Sequence, residues 1–143
     1  MALSQNLRFA ATVPNDPEFD HPPGVFLIRR LAADLNANGW RTDEFDCWRD
    51  CGWFVVCHRG ISNLDVVVCQ IPSGEWMLQI SPSKVPYFGA LFGKKPSATP
   101  TDMFELAVAV HRILAANECL EKPRWLWDGF PEDSNATPEP LPA

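Results

Sequence analysis

The side chains best suited to chemistry in this sequence are cysteines and one histidine that lie close together along the chain. Cys47, Cys51, Cys57 and His58 could bind a metal ion or supply a nucleophile. However, the C-x3-C spacing of the first two cysteines differs from the paired C-x2-C typical of zinc sites. In a continuous strand, Cys51 and Cys57 would lie roughly 20 Å apart. The spacing therefore favours structural cysteines, and we expect neither a metal site nor a bound cofactor.

A cysteine–histidine nucleophile pair is the second chemistry to consider. Neighbouring residues of a strand point to opposite faces, so Cys57 and His58 cannot form a dyad with each other. His111 could reach a cysteine only through the tertiary fold. Neither the carboxylates nor the glycines have the spacing of a catalytic acid pair or a phosphate loop. We therefore expect a protein without catalytic activity, and a thiol-dependent hydrolase that uses Cys57 or Cys69 is the alternative.

The elements that would position these residues follow from the apolar periodicity. Leucines at every fourth position predict a first helix over about 23–38. A second helix is predicted over 100–117, with Thr99 as its N-cap and a proline at its first position. Between the helices the period changes to two, which is typical of strands. The predicted strands lie at about 42–48, 52–58, 64–71, 75–80 and 124–127, and Pro72-Ser73-Gly74 predicts a type I hairpin turn.

These elements predict an α+β fold that forms a single two-layer domain. An antiparallel sheet of four to five strands carries two main helices on one face, in the order α-β-β-β-β-α-β. Residues 23–130 would form this domain. Residues 1–22, which are rich in proline, are expected to be an extended lead-in with room for one short strand. Residues 131–143 are expected to be a disordered, acidic, proline-rich tail.

Composition excludes several classes of partner. The net charge is −6, and four acidic side chains without a basic one lie in residues 128–143, which argues against nucleic acid binding. No apolar stretch approaches the length of about 18 residues that an integral membrane segment needs, and no signal peptide is recognisable. The five cysteines are odd in number and irregularly spaced. They favour a reducing, cytoplasmic location over a disulfide framework.

The two faces of the predicted sheet both look apolar. Val66, Val68 and Gln70 should lie across from Ile80, Leu78 and Trp76, on the face that packs against the helices. The opposite face would carry Val67, Cys69, Ile71, Met77 and Gln79. Depending on register, either Trp53, Val55 and Cys57 or Phe54, Val56 and His58 would extend it.

An apolar second face predicts a surface that is covered. The cover could be the 82–98 loop or the segment around residues 125–127 of the same chain, a second copy in a homodimer, or another protein. Tryptophans and loop phenylalanines are the aromatic anchors that such a surface would use. The candidate interaction surface comprises Trp53, Val67, Cys69, Ile71, Met77, Phe88, Phe92, Trp125 and Trp127.

Several short motifs together carry a resemblance to a group of proteins. A helix ends in Asn-Gly-Trp at 38–40, strands contain Cys-Gly-Trp-Phe-Val at 51–55 and Gly-Glu-Trp-Met-Leu at 74–78, and a loop contains Leu-Phe-Gly-Lys-Lys at 91–95. Over residues 9–130 the chain resembles small uncharacterised bacterial α+β proteins with these features. The resemblance implies a compact bacterial cytosolic domain and no particular activity. We therefore expect a non-catalytic protein-binding module, of the immunity or accessory type.

Overall fold

The computed structural model describes residues 4–14, 22–83, 98–129 and 135–142. Within these residues, two helices, α1 (Val25–Ala37) and α2 (Pro100–Ala116), accompany a seven-stranded antiparallel sheet. The strands are β1 (Gln5–Ala10), β2 (Arg41–Thr42), β3 (Asp46–Trp48), β4 (Gly52–Arg59), β5 (Ser62–Gln70), β6 (Trp76–Pro82) and β7 (Glu121–Trp127). Neither helix in this part of the chain is long and apolar enough to cross a membrane.

The strand order across the sheet is β2-β4-β5-β6-β1-β7. β3 also pairs with β4, on the same edge as β2. Between them, the N–H of Asp43 donates to the carbonyl of Val56, so β2 and β3 act as one interrupted edge strand. At the other side of the sheet, the first strand of the chain lies between β6 and β7.

The predicted mixed fold, with an antiparallel sheet and two helices, is confirmed, but the number and order of strands were wrong. The segment expected to be mainly an extended lead-in contains β1, an inner strand whose Leu7 and Phe9 are fully buried. One short strand was allowed for in this segment, but its partners lie about seventy and more than a hundred residues away in sequence, so its inner position in the sheet has no local signal. The predicted strand at 42–48 is divided into β2 and β3.

Local signals set the bounds of α2 and of the hairpin between β5 and β6. The Thr99 hydroxyl accepts a hydrogen bond from the N–H of Asp102 at 3.0 Å, which is the predicted N-cap, and a proline begins the helix. In the hairpin turn, Gly74 has φ +91° and its N–H donates to the carbonyl of Ile71. A residue other than glycine would be strained there, so the Pro-Ser-Gly sequence specifies this turn.

One hydrophobic core lies between the helices and one face of the sheet. Along the strands, Val55, Val66, Leu78 and Leu7 are paired in succession and are all fully buried, as the alternation of side chains requires. On this face, Trp125 of β7 follows Leu7 and is also fully buried. Both helices contribute their buried stripes to the same core, as the leucine and valine spacing predicted.

Part of the C-terminal segment lies against the sheet. Thr137 exchanges both backbone hydrogen bonds with Trp125 of β7, at 2.7 and 3.0 Å. The carbonyl of Leu141 accepts hydrogen bonds from the side chains of Gln5 and Trp127. Residues 135–142 therefore differ from the disordered tail expected over 131–143, because their backbone groups extend the ladder at the free edge of β7. Residues 131–134 and 143 lie outside the described residues.

Candidate functional site

The face of the sheet that points away from the core is the candidate interaction surface. The pairing of β4 with β5 places Phe54 opposite Val67, and the pairing of β5 with β6 places Cys69 opposite Met77. No helix in the described part of the chain packs on this side. We call it the open face and define it by its central side chains, which are Phe54, Val56, Val67, Cys69, Met77 and Gln79. Val56 and Val67 are only 6% and 8% exposed, and the other four are partly exposed.

Three tryptophans of the predicted surface lie on the other side of the sheet. Trp53 is 8% exposed, belongs to the core and donates a hydrogen bond from its indole N–H to the carbonyl of Pro22 at 2.9 Å. Trp125 is fully buried in the core, and Trp127 packs against the core from the same side of β7. The structure thus places these three residues on the core side of the sheet and apart from the rest of the predicted surface, since their position in the strands points them toward the core.

Of the other residues predicted for the interaction surface, four lie on the open face or at its edge, and two lie outside the described residues. Val67, Cys69 and Met77 lie together on the open face, and Ile71 follows them at the start of the hairpin turn. Val67 is nearly buried, whereas the other three side chains are partly exposed. Phe88 and Phe92 lie outside the described residues.

A small cleft of about 160 Å³ lies in the centre of the open face. Val67, Cys69, Met77 and Gln79 line it, and Trp48 at the end of β3 closes one side. Sequence reasoning missed Trp48. Trp48 comes just before a tight turn and Gly52 just after it, and the two residues are paired. This pairing places the indole of Trp48 beside residues of β5. The cleft is mainly apolar, as expected for a surface that receives an apolar side chain.

Ion pairs border the apolar part of the open face. Across β1 and β7, Arg8 lies beside Arg124, and both guanidinium groups contact the carboxylate of Glu75. The hydrogen bond from Arg124, supported by the charges of both arginines, lowers the pKa of Glu75. The open face thus has an apolar area formed by β4, β5 and β6 and a charged rim at β1 and β7.

The chemistry of the thiols opposes a nucleophilic role for the two sheet cysteines. Burial, with added repulsion from Asp65 and Asp43, raises the pKa of Cys57 to about 12. Burial and the neighbouring Cys51 thiol raise the pKa of Cys69. A catalytic cysteine needs a thiol pKa below its ordinary value, because the thiolate is the nucleophile. At neutral pH both thiols therefore have a smaller thiolate fraction than an ordinary cysteine.

Both ring nitrogens of His58 are hydrogen-bonded, and neither partner is a thiol. Its Nε2 lies 2.9 Å from a carboxylate oxygen of Asp43, and its Nδ1 is hydrogen-bonded to the side chain of Asn63. Cys57 points to the core on the opposite side of the strand, as strand alternation predicted. Among the described residues, no three His, Cys, Asp or Glu side chains are grouped so that they could hold a metal ion.

A second concave site lies on the helix side of the molecule. This helix groove, about 480 Å³ in volume, is formed where the chain after α1, the end of β4 and α2 meet. Its principal lining residues are Trp40, Arg59, Phe104, Glu105, Val108 and Arg112. Sequence reasoning missed it because the lining comes from three separate segments. The available signal was the i, i+4, i+8 spacing of Phe104, Val108 and Arg112, outside the core stripe of α2.

No protein-family model matches this chain, and no curated protein matches its sequence. The function is therefore inferred from the geometry of the two sites.

Proposed function

We propose that this protein is a non-catalytic protein-binding module that recognises its partner through the open face. The observation that carries the proposal is the one-sided packing of the sheet. Both helices lie on the core face, while Phe54, Cys69 and Met77 are partly exposed on the other face with no described helix above them. An apolar sheet face is favoured as a contact surface because its burial by a partner removes apolar area from water.

The layout of the open face supports a protein partner over a small ligand. The central cleft is smaller than most small-molecule sites, which have volumes of about 300–1,000 Å³. It can, however, receive one side chain. The ion pairs of Arg8, Glu75 and Arg124 lie beside the apolar area, where the polar rim of a protein interface is expected. A module of the accessory or immunity type in a bacterial cytoplasm would act in this way, and five free cysteines are compatible with that location.

Site-specific photo-crosslinking tests the proposal, because it captures a bound partner whose identity need not be specified. A photoreactive phenylalanine analogue at position 77 lies at the centre of the open face, and the same analogue at position 33 lies on the exposed side of α1. In cells that produce the protein, we expect one discrete crosslinked protein from position 77 and none of that mass from position 33. An adduct of twice the chain mass would identify a homodimer.

The proposal fails if position 77 gives no discrete adduct, or if both positions give the same adducts. A second variant strengthens the test: Met77→Lys places a charge in the apolar area and should abolish the adduct formed by an analogue at position 54. Gln79→Lys, which adds a charge at the edge of the same cleft, should have a smaller effect. Circular dichroism of both variants establishes that they are folded.

A further inference from the structure

We propose that the helix groove binds a carboxylate that is attached to an apolar group. The groove lies on the opposite side of the sheet from the open face, so the proposal is independent of the protein-binding function. Its volume of about 480 Å³ is within the range of small-molecule sites. Such sites combine an apolar lining with a few polar groups that orient the ligand.

The apolar lining is present on two sides. The Trp40 ring is held at the base, where it is almost completely buried. Phe104 and Val108 project from successive turns of α2 and are partly exposed, because they lie outside the stripe that packs into the core. An apolar group that enters the groove would bury the exposed parts of Phe104 and Val108 together with its own surface.

Two guanidinium groups border the same space. Arg112 lies one turn after Val108 and has no ion-pair partner among residues 4–14, 22–83, 98–129 and 135–142. Arg59 is held by its Nη2, which contacts Asp102 at 2.7 Å and also Glu105. Its guanidinium carbon lies 4.2 Å from the centre of the Trp40 ring. The N–H groups of an arginine lie in the plane of its guanidinium group, and their spacing matches the two oxygens of a carboxylate.

Arg112, which is unpaired in the described part of the chain, and the nearby carboxylate of Glu105 together favour a ligand with one negative charge over a ligand with two. Asp102 and Glu105 both contact Arg59, so that guanidinium already has two carboxylates around it, whereas Arg112 has none among the described residues. One carboxylate can pair with Arg112. A phosphate or other dianion would bring a second charge close to Glu105, and this repulsion disfavours it. A neutral ligand would leave the Arg112 guanidinium without a counter-ion.

NMR titration of the full chain tests the site with defined probes. The probes are 3-phenylpropanoate, the peptide Ala-Ala-Ala-Phe with a free C-terminal carboxylate, and the same peptide with a C-terminal amide. The indole N–H resonance of Trp40, assigned with a Trp40→Phe variant, reports binding in the groove. We expect saturable shifts with both carboxylates and an affinity at least about tenfold lower for the amide, since a charged hydrogen bond is lost.

Variants locate the binding and exclude a general charge effect. Arg112→Gln should weaken carboxylate binding about tenfold or more, while Arg30→Gln, an equal change of charge on the exposed side of α1, should leave it unchanged. Tighter binding of the peptide than of 3-phenylpropanoate would assign the site to a protein C-terminus, and the reverse to a free metabolite. Equal affinity for acid and amide, an Arg112→Gln variant that binds as wild type, or no saturable shift at Trp40 would overturn the proposal.

Discussion

At Gly52, two strands approach so closely that no side chain fits. A Cβ atom at this position would lie 2.2 Å from the carbonyl oxygen of Val68 and 2.8 Å from the Cβ of Cys69. Gly52→Ala should therefore separate β4 from β5 and lower the free energy of unfolding by about 2 kcal/mol or more, as overpacking does. Urea denaturation measures the change.

Gly129→Ala is the matched control for this substitution. Its added Cβ would lie 3.8 Å from the nearest side-chain atom, an ordinary contact. The variant should stay within about 0.5 kcal/mol of wild type. If both alanine variants were equally stable, the close approach at Gly52 would not be part of the fold in solution.

The five thiols should differ widely in reactivity. Cys47 and Cys51 are exposed, whereas Cys57 is buried and its pKa is raised to about 12. Alkylation of the folded protein with iodoacetamide, followed by mass spectrometry, should label the two exposed thiols first and Cys57 only on unfolding. Fastest labelling of Cys57 or Cys69 would contradict this order and would support a thiol-dependent hydrolase instead.

At the scale of elements, one hydrogen bond joins α2 to β7 and makes their contact sensitive to pH. The indole N–H of Trp125 donates to Nδ1 of His111 at 3.1 Å, so this nitrogen must be unprotonated. Burial lowers the pKa of His111 below its ordinary value of 6.5, an effect that the charge of Glu139 opposes. The neutral imidazole is therefore the form that the folded state favours.

This depressed pKa fixes the direction of the pH effect. The neutral His111 side chain contributes fully to stability above pH 6.5, its ordinary pKa. This contribution is lost as the pH falls through the lower pKa that His111 has in the folded state. The free energy of unfolding, measured with urea, should therefore decrease from about pH 7.5 to about pH 5. His111→Gln keeps an acceptor that does not titrate and should reduce this decrease. An NMR titration that gave His111 a pKa above 6.5 would contradict the prediction.

The elements that sequence analysis predicted well are those with local causes. The N-cap at Thr99 and the turn at Gly74 each depend on residues within four positions, so their sequence signals were sufficient. The turn between β4 and β5 is also local. It has two residues, with Gly60 at φ +58° between the paired Arg59 and Ser62. A two-residue turn at this place fixes the register between β4 and β5, which the sequence analysis left open.

The position of β1 in the sheet and the sites that were missed depend on distant pairing. In β1, only Leu7 and Phe9 give an apolar alternation, and a buried Gln5 interrupts the pattern. The side-chain N–H of this glutamine donates to the carbonyl of Leu141, more than a hundred residues away, while its Oε1 is buried without a hydrogen-bond partner among the described residues. The helix groove likewise needs Trp40 and Arg59 to meet α2. No spacing along the chain encodes such contacts.

At the scale of the whole molecule, the two ends of the chain complete the sheet together. β1 occupies an inner position only because β7 covers its outer edge, and β7 in turn is extended by Thr137. The fully buried Trp125 also fills the core beside Leu7. Without β7, the backbone N–H and C=O groups at the outer edge of β1 would be unpaired and open to pairing with other chains. We therefore expect β7 to be indispensable and the segment after it to be dispensable.

Two truncations separate these roles. A chain that ends at Asn117 lacks β7 and should show no cooperative urea transition, because both the Trp125 side chain and the cover of β1 are absent. A chain that ends at Gly129 keeps β7 but loses the hydrogen bonds made by residues 135–142. It should remain folded, with the near-UV circular dichroism of its buried tryptophans retained, and unfold at a lower urea concentration than the full chain. A cooperative transition in the shorter chain would contradict this and show that β1 can be an edge strand. If the full chain and the chain that ends at Gly129 were equally stable, the pairing of Thr137 with Trp125 would contribute nothing to stability.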